Sequence, residues 1–261
     1  MTTSSAAATA ASIVDACVLV GRSRFGGELT LPAAARQAGD LGVHTLIVTS
    51  AAPADRDLPG ATERLLRAAA ATGLAVRVEV LARVDPWEPD AVGAAERALA
   101  GGAVGVFLHP WEETFRINEH ALLDPLLRLL AAEGRPVVVE GGYPWVSEPA
   151  QLADLAVRHP EVPVVATRGG HMNMSGLSGQ TALRALRAAP NLRVLTSGVY
   201  RQDWLAGVVD ELGAERLCYG SLAPVLEPRM ELLRPAALTD PVARDLVLAG
   251  NATQLFGLDS R

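Results

Sequence analysis

Eight short apolar, largely β-branched runs recur along this chain, and segments of helical period rich in Ala, Leu and Arg lie between them. The runs are 13–20, 43–49, 75–81, 104–108, 136–140, 163–167, 192–196 and 216–219. Most are continuously apolar, as strands covered on both faces should be. The intervening helices carry legible starts. Thr30 stands before Leu31 and Pro32, Ser147 before Glu148 and Pro149, and Asp240 before Pro241, opening a last helix expected to stop near Gly250. Eight β/α units in 261 residues predict a single-domain α/β protein, a closed (β/α)8 or TIM barrel over 12–261. The competing doubly wound sheet would want Gly-x-Gly-x-x-Gly after its first strand, and none is there.

Composition removes several kinds of function. All 23 basic residues are Arg, so Schiff-base chemistry, pyridoxal-phosphate anchoring and a P-loop lack their Lys. A net charge of −6 argues against nucleic acid or an anionic membrane surface as partner. No apolar stretch is long enough to span a bilayer. Residues 1–11 are rich in Ser, Thr and Ala without a basic start, and read as a disordered tail and not as a signal peptide. Cys17 and Cys218 both fall on expected inner strands, which suits a reducing, cytoplasmic setting.

In such a barrel, chemistry gathers at the C-terminal strand ends. The residues placed there are Asp15, Cys17, Leu19, Arg22, Arg24, Ser50, Arg83, Asp85, His109, Trp111, Glu140, Tyr143 and Trp145, and then Arg168, His171, Asn173, Ser197, Tyr200, Arg201, Ser221 and Leu222. Singly, each reads first as a rim ion pair, a cap or core. Cys17 reads first as a small buried hydrophobe, and His109 as a group that satisfies a backbone carbonyl. Together they describe a pocket for a small molecule. Glu140 and Arg168 stand out. Inward charges at strand ends are costly unless paired, and these two sit on neighbouring strands.

Several segments resemble one family, the amidohydrolase-related barrel hydrolases and decarboxylases of the aminocarboxymuconate-semialdehyde-decarboxylase-like group. Asp15, Cys17 and Leu19 stand where that family opens with Asp-x-His-x-His. The run from Gly105 to His109 and Pro110 resembles its fourth strand, with Phe115 and Asn118 in the loop behind. The run from Arg135 to Glu140 resembles the fifth strand, Val164 to Arg168 the sixth, and 191–198 the seventh. Leu217 to Pro224 resembles the eighth, and Gly250 to Leu258 a typical family ending. The resemblance implies a divalent metal, usually zinc, held by two His of strand one, a His of strand five and an Asp of strand eight, with a His of strand six beside it. Those positions here read Cys17, Leu19, Glu140, Leu222 and Arg168. Two lack a donor atom and one is a permanent cation, so no metal or other cofactor is expected.

Two functions survive this reading. One is a metal-independent hydrolase or lyase that acts on a small anionic substrate, with Glu140, Arg168, His171 and Asp15 as catalytic candidates. Cys17, Arg83, His109, Tyr143, Trp145, Tyr200 and Arg201 would line its substrate site. The other is an inactive amidohydrolase-fold barrel that binds a ligand or steadies a partner. The ionisable groups kept at the strand ends favour the enzyme. By analogy with the family, a homodimer or a heteromer with a paralogue is expected. Purified protein should hold zinc, manganese and iron at levels far below stoichiometric, and chelators should leave its melting temperature unchanged. Elemental analysis after dialysis checks this, and a metal retained one-to-one would overturn it.

Overall fold

Each of the eight runs forms a strand in the computed structural model, which describes residues 12–23, 27–53, 55–71, 73–172 and 177–260. The expected tail, 1–11, and the rim candidates Arg24 and Asn173 lie outside the described residues. The strands are β1 (Ile13–Arg22), β3 (Val43–Ser50), β4 (Arg77–Arg83), β5 (Gly105–Leu108), β6 (Val137–Val139), β7 (Val164–Ala166), β8 (Leu192–Leu195) and β9 (Leu217–Cys218). The sequence reading did not include β2 (Glu28–Leu29), a short antiparallel partner to the end of β1. The other neighbours pair in parallel, in chain order from β1 to β9.

Eight helices alternate with these strands. They are α1 (Leu31–Asp40), α2 (Leu58–Ala69), α3 (Ala91–Ala100), α4 (His120–Glu133), α5 (Pro149–Arg158), α6 (Ser178–Ala188), α7 (Gln202–Leu212) and α8 (Pro228–Ala236). None of the described helices is long and apolar enough to cross a membrane. Thr30 caps α1 by accepting from Ala33 N, and Asp240 accepts from Val242 N to open α9 (Pro241–Asp245). Two boundary expectations are corrected. The residue capping α5 is Glu148, whose N–H is met by Gln151 Oε1 at 2.9 Å. Ser147 instead ties down the loop before it, as described below. The last helix does not stop at Gly250, whose φ of −55° is helical. It runs through a wide turn at Leu246–Gly250 into α10 (Asn251–Phe256) and ends at Gly257, where φ is 63°.

Strand alternation divides the core. Leu81, Phe107, Val138, Val165 and Leu195 face inward with Cys17, Leu19, Cys218 and Leu222. Their neighbours Ala82, Val106, Leu108, Val137, Val139, Val164 and Ala166 face outward under the helices. Phe256 and Leu258 belong to the inner cluster, and Arg77, at the start of β4, donates to Leu258 O at 2.9 Å. The chain end therefore covers the N-terminal opening of the barrel.

The first and last strands meet through Ala16 N to Tyr219 O at 3.0 Å, Leu222 N to Cys17 O at 2.9 Å and Leu19 N to Ala223 O at 2.8 Å. Asp15 reinforces this seam, accepting from Ser221 N at 2.8 Å and Cys17 N at 3.4 Å. Burial pushes the Asp15 carboxyl up to about 6, against the pull of those hydrogen bonds. The folded chain thus keeps a proton that the unfolded chain releases near its ordinary value of 3.8. Stability should fall as pH rises through the interval between the two, with the full loss present above it. Asp15→Asn keeps the acceptor oxygen and removes the charge. Its melting temperature should gain on wild type as pH rises from about 4 to about 7, the interval set by linkage. A difference that stays flat across that range would show that Asp15 does not titrate as described.

Candidate functional site

The alternation that packs the interior also aims the site. Two residues beyond an inward side chain comes the next inward one. Leu81 is followed by Arg83, Phe107 by His109, Val138 by Glu140, Val165 by Thr167 and Leu195 by Ser197. All five of these followers are buried, and all stand at the C-terminal mouth.

Glu140 and Arg168 meet there. Arg168 Nε donates to Glu140 Oε1 at 2.8 Å, and Thr167 Oγ1 donates to Glu140 Oε2 at 2.8 Å. Arg168 is not itself the inward residue of its strand. It lies one position past Thr167 with φ of 57°, in the left-handed region, and its N–H donates to Ser197 Oγ at 3.0 Å. That turn returns its side chain to the barrel axis. Ser147 Oγ donates to Glu140 O at 2.9 Å and accepts from Tyr143 N at 3.2 Å, which fixes the loop after β6. Burial pushes the Glu140 carboxyl above the usual range, against the pull of Arg168 and Thr167. Burial works against the Arg168 charge too, and Glu140 more than offsets it. Among the described residues, neither terminal guanidinium nitrogen of Arg168 is bonded to a carboxylate. The guanidinium lies 5.8 Å from the centre of the Tyr143 ring.

A second charged group adjoins the first. Arg83 is fully buried. Its Nε reaches Glu113 Oε1 at 3.0 Å, its Nη2 reaches the same oxygen at 2.6 Å, and its Nη1 reaches Ser50 O at 3.1 Å. Its Nη2 also pairs closely with Glu112. Burial raises the Glu113 carboxyl to about 7 against the pull of Arg83. Glu113 Oε2 accepts from His109 N at 3.1 Å, and His109 Nδ1 accepts from Glu112 N at 3.3 Å. The His109 ring lies 5.9 Å from Tyr143, and Tyr143 stacks on Trp111 at 5.5 Å with planes 14° apart. The mouth therefore holds two arginine–carboxylate groups bridged by an aromatic layer.

The other candidates do not join this constellation. Asp15 serves the strand seam. His171 packs edge-on against Trp204 at 5.0 Å, with Ser178 Oγ 3.3 Å from its Nδ1, and burial lowers its pKa. Trp145 and Tyr200 are exposed, Arg234 covers Tyr200 at 4.7 Å, and Arg201 pairs with Asp203. Cys17 lies fully buried beneath the mouth. Burial, then Glu140 and Asp15, push its thiol far up, so it is no thiolate. Thr167, Glu112 and Glu113 were missed by the sequence reading. Inward parity from Val165 marks Thr167, and the tandem acids just past β5 were the available signal for the other two.

The metal positions of the resembled family can be tested on this geometry. Leu19 and Leu222 pack with Cys17 in the inner apolar cluster. Both oxygens of Glu140 already accept hydrogen bonds. Among the described residues, no three His, Cys, Asp or Glu side chains are grouped to hold a metal. These residues do not fit the ion. Leu222 still has a left-handed backbone, φ 58°, as Arg168 does.

The amidohydrolase family profile matches residues 47–258, and the chain belongs to that family. The match begins within β3, after the strand that carries Cys17 and Leu19. No curated protein matches the sequence. Among solved structures, it is similar to 2,6-dihydroxybenzoate decarboxylase from Rhizobium, at TM-score 0.73 and 15% identity over 95% of this chain and 99% of that one. It is similar to 5-carboxyvanillate decarboxylase from Sphingomonas paucimobilis, at TM-score 0.73 and 14% identity over 95% and 99%. A probable 2-pyrone-4,6-dicarboxylic acid hydrolase from Acinetobacter baumannii, with citric acid bound, aligns at TM-score 0.71 and 15% identity over 94% and 99%. At these identities the likeness concerns the fold.

Removing one partner of a buried ion pair strands the other, at a cost of about 3–5 kcal/mol. Glu140→Ala should lower stability by that order in chemical denaturation. Adding Arg168→Met to it should restore part of the loss. A single variant within about 0.5 kcal/mol of wild type, the usual range for surface changes, would exclude the pair.

Proposed function

We propose that this chain is a metal-independent enzyme of the amidohydrolase fold, a hydrolase or lyase acting on a small organic carboxylate by acid–base chemistry. One observation carries the reading. Arg168 is oriented by Glu140 through its Nε, and its guanidinium stands at the mouth against Tyr143, whose side chain it also engages, with no carboxylate on its terminal nitrogens among the described residues. A guanidinium gripped on one edge presents a planar fork on the other, and that fork matches a carboxylate. The fixed positive charge takes the place that a metal holds in the resembled family. Glu140, whose proton affinity burial has raised, is the nearest proton carrier to a carboxylate held there. Tyr143 and Trp111 supply an aromatic wall. The names of the similar structures, two decarboxylases of carboxylated aromatics and a dicarboxylic acid hydrolase, support the substrate class. Asp15 and His171, named as catalytic candidates from sequence, have no part in this scheme. We place the enzyme in the cytoplasm, where its two free, buried thiols would stay reduced, and expect it to act as a homodimer or beside a paralogue.

A second reading has its own support. Leu19 and Leu222 fill the barrel axis, as they would in a barrel that only binds. Calorimetry with benzoate and citrate, alongside a turnover screen of aromatic carboxylates and lactones, separates the two. An enzyme turns over a member of the panel; a binding barrel retains the carboxylate unchanged. In both cases Arg168→Lys should weaken carboxylate binding by about tenfold or more, a loss of roughly 1.4 kcal/mol. Arg168→Ala binding as tightly as wild type would remove Arg168 from the site.

A further inference from the structure

Tyr143 is held firmly at the barrel mouth, and its hydroxyl proton has no use inside the fold. Ser147 clamps its backbone, taking Tyr143 N on Oγ at 3.2 Å and donating its own N–H to Tyr143 O at 3.1 Å. The ring stacks on Trp111 at 5.5 Å and lies 5.9 Å from His109. The Arg168 guanidinium, 5.8 Å from the ring centre, engages the hydroxyl. Arginine only donates, so the phenol oxygen accepts there and its own proton turns elsewhere. Neighbouring hydroxyls are already committed, with Thr167 Oγ1 donating to Glu140 Oε2 and Ser147 Oγ to Glu140 O. Among the described residues, no acceptor for the Tyr143 proton is present. Burial and the charges of Glu140 and Glu112 hold the phenol above its ordinary value, with Arg168 pulling the other way. Tyr143 is therefore a donor and not a base.

We propose that Arg168 and Tyr143 together select a 2-hydroxy or 2-oxo acid, its carboxylate on the guanidinium and its second oxygen taking the Tyr143 proton. The inference rests on the carboxylate reading of Arg168 and narrows it. Spacing is one reason. Two groups that share a hydrogen bond stand roughly 3 Å apart. The two oxygens of one carboxylate are closer together than that, whereas a carboxylate oxygen and an oxygen on the next carbon span adjacent donors. Charge is another. Glu140 and Glu112 act on Tyr143, so a second anionic group is repelled there and a neutral hydroxyl or carbonyl is accepted. An acid without that oxygen would cover the phenol proton and leave it without an acceptor, which is how a site rejects a substrate that lacks one polar group.

Calorimetry on the full chain tests this with two matched pairs. Phenylacetate is compared with each enantiomer of mandelate, and propionate with each enantiomer of lactate. Within a pair, only the 2-hydroxyl differs. In at least one pair the hydroxy acid should bind wild type about fivefold more tightly, the worth of one hydrogen bond. Tyr143→Phe keeps the ring and its stacking. With far-UV circular dichroism unchanged, it should erase the preference and leave binding of the unsubstituted acid within about twofold of wild type, less than one hydrogen bond is worth. Arg168→Ala should lose all of these acids. Binding that depends on Arg168 without a preference for the hydroxy acid, or a preference that survives Tyr143→Phe, would overturn the inference and leave the carboxylate reading standing. A wild type that binds none of the acids, or Arg168→Ala binding them equally well, would overturn both.

Discussion

The ion pair between Arg168 and Glu140 organises the mouth of this barrel. A carboxylate facing inward above Val138 has almost no water to solvate it, and it stays in place because every oxygen has a donor. The same contacts bind three strands together. Glu140 belongs to the end of β6, Thr167 and Arg168 to the end of β7, and Ser197, which receives the Arg168 N–H, to the end of β8. The pair orients an arginine whose terminal nitrogens are not on a carboxylate, among the described residues. Arg83, by contrast, spends every nitrogen on Glu112, Glu113 and Ser50, and is a structural strut.

At the positions where the resembled family would hold a metal, this barrel has Leu19, Leu222 and Arg168. A divalent ion among acidic groups supplies positive charge at the strand ends. Here Leu19 and Leu222 extend the apolar plug upward, and arginine provides the charge above it. Arginine suits this role better than lysine would. Its planar fork holds Glu140 through Nε in a fixed orientation, which an ammonium on a flexible stem would not give. The left-handed backbone at Arg168 and Leu222 is the cost of aiming side chains from just beyond a strand end; full burial sustains it at Leu222, and the Glu140 and Ser197 hydrogen bonds sustain it at Arg168.

The sequence by itself determined the barrel. Eight buried runs alternating with helices leave a parallel sheet covered on both faces as the consistent outcome, and the strand bounds differ by only a residue or two. It also determined that Glu140 and Arg168 belong to adjacent strands, and that Leu19 and Leu222 cannot bind a metal. Those facts depend on residue type and local period, which a linear chain displays. Only the tertiary structure decided which rim residues converge. Asp15 turned to the β1–β9 seam because closure of the barrel brings Ser221 beside it. His171 went under Trp204, and Arg201 to Asp203. Glu112 and Glu113 joined the site because Arg83, distant in sequence, lies across from them. Loop side chains obey no period, and their contacts are set by whichever strands the closed sheet makes neighbours. That is why the address of the site could be read from the chain, while its membership had to wait for the fold.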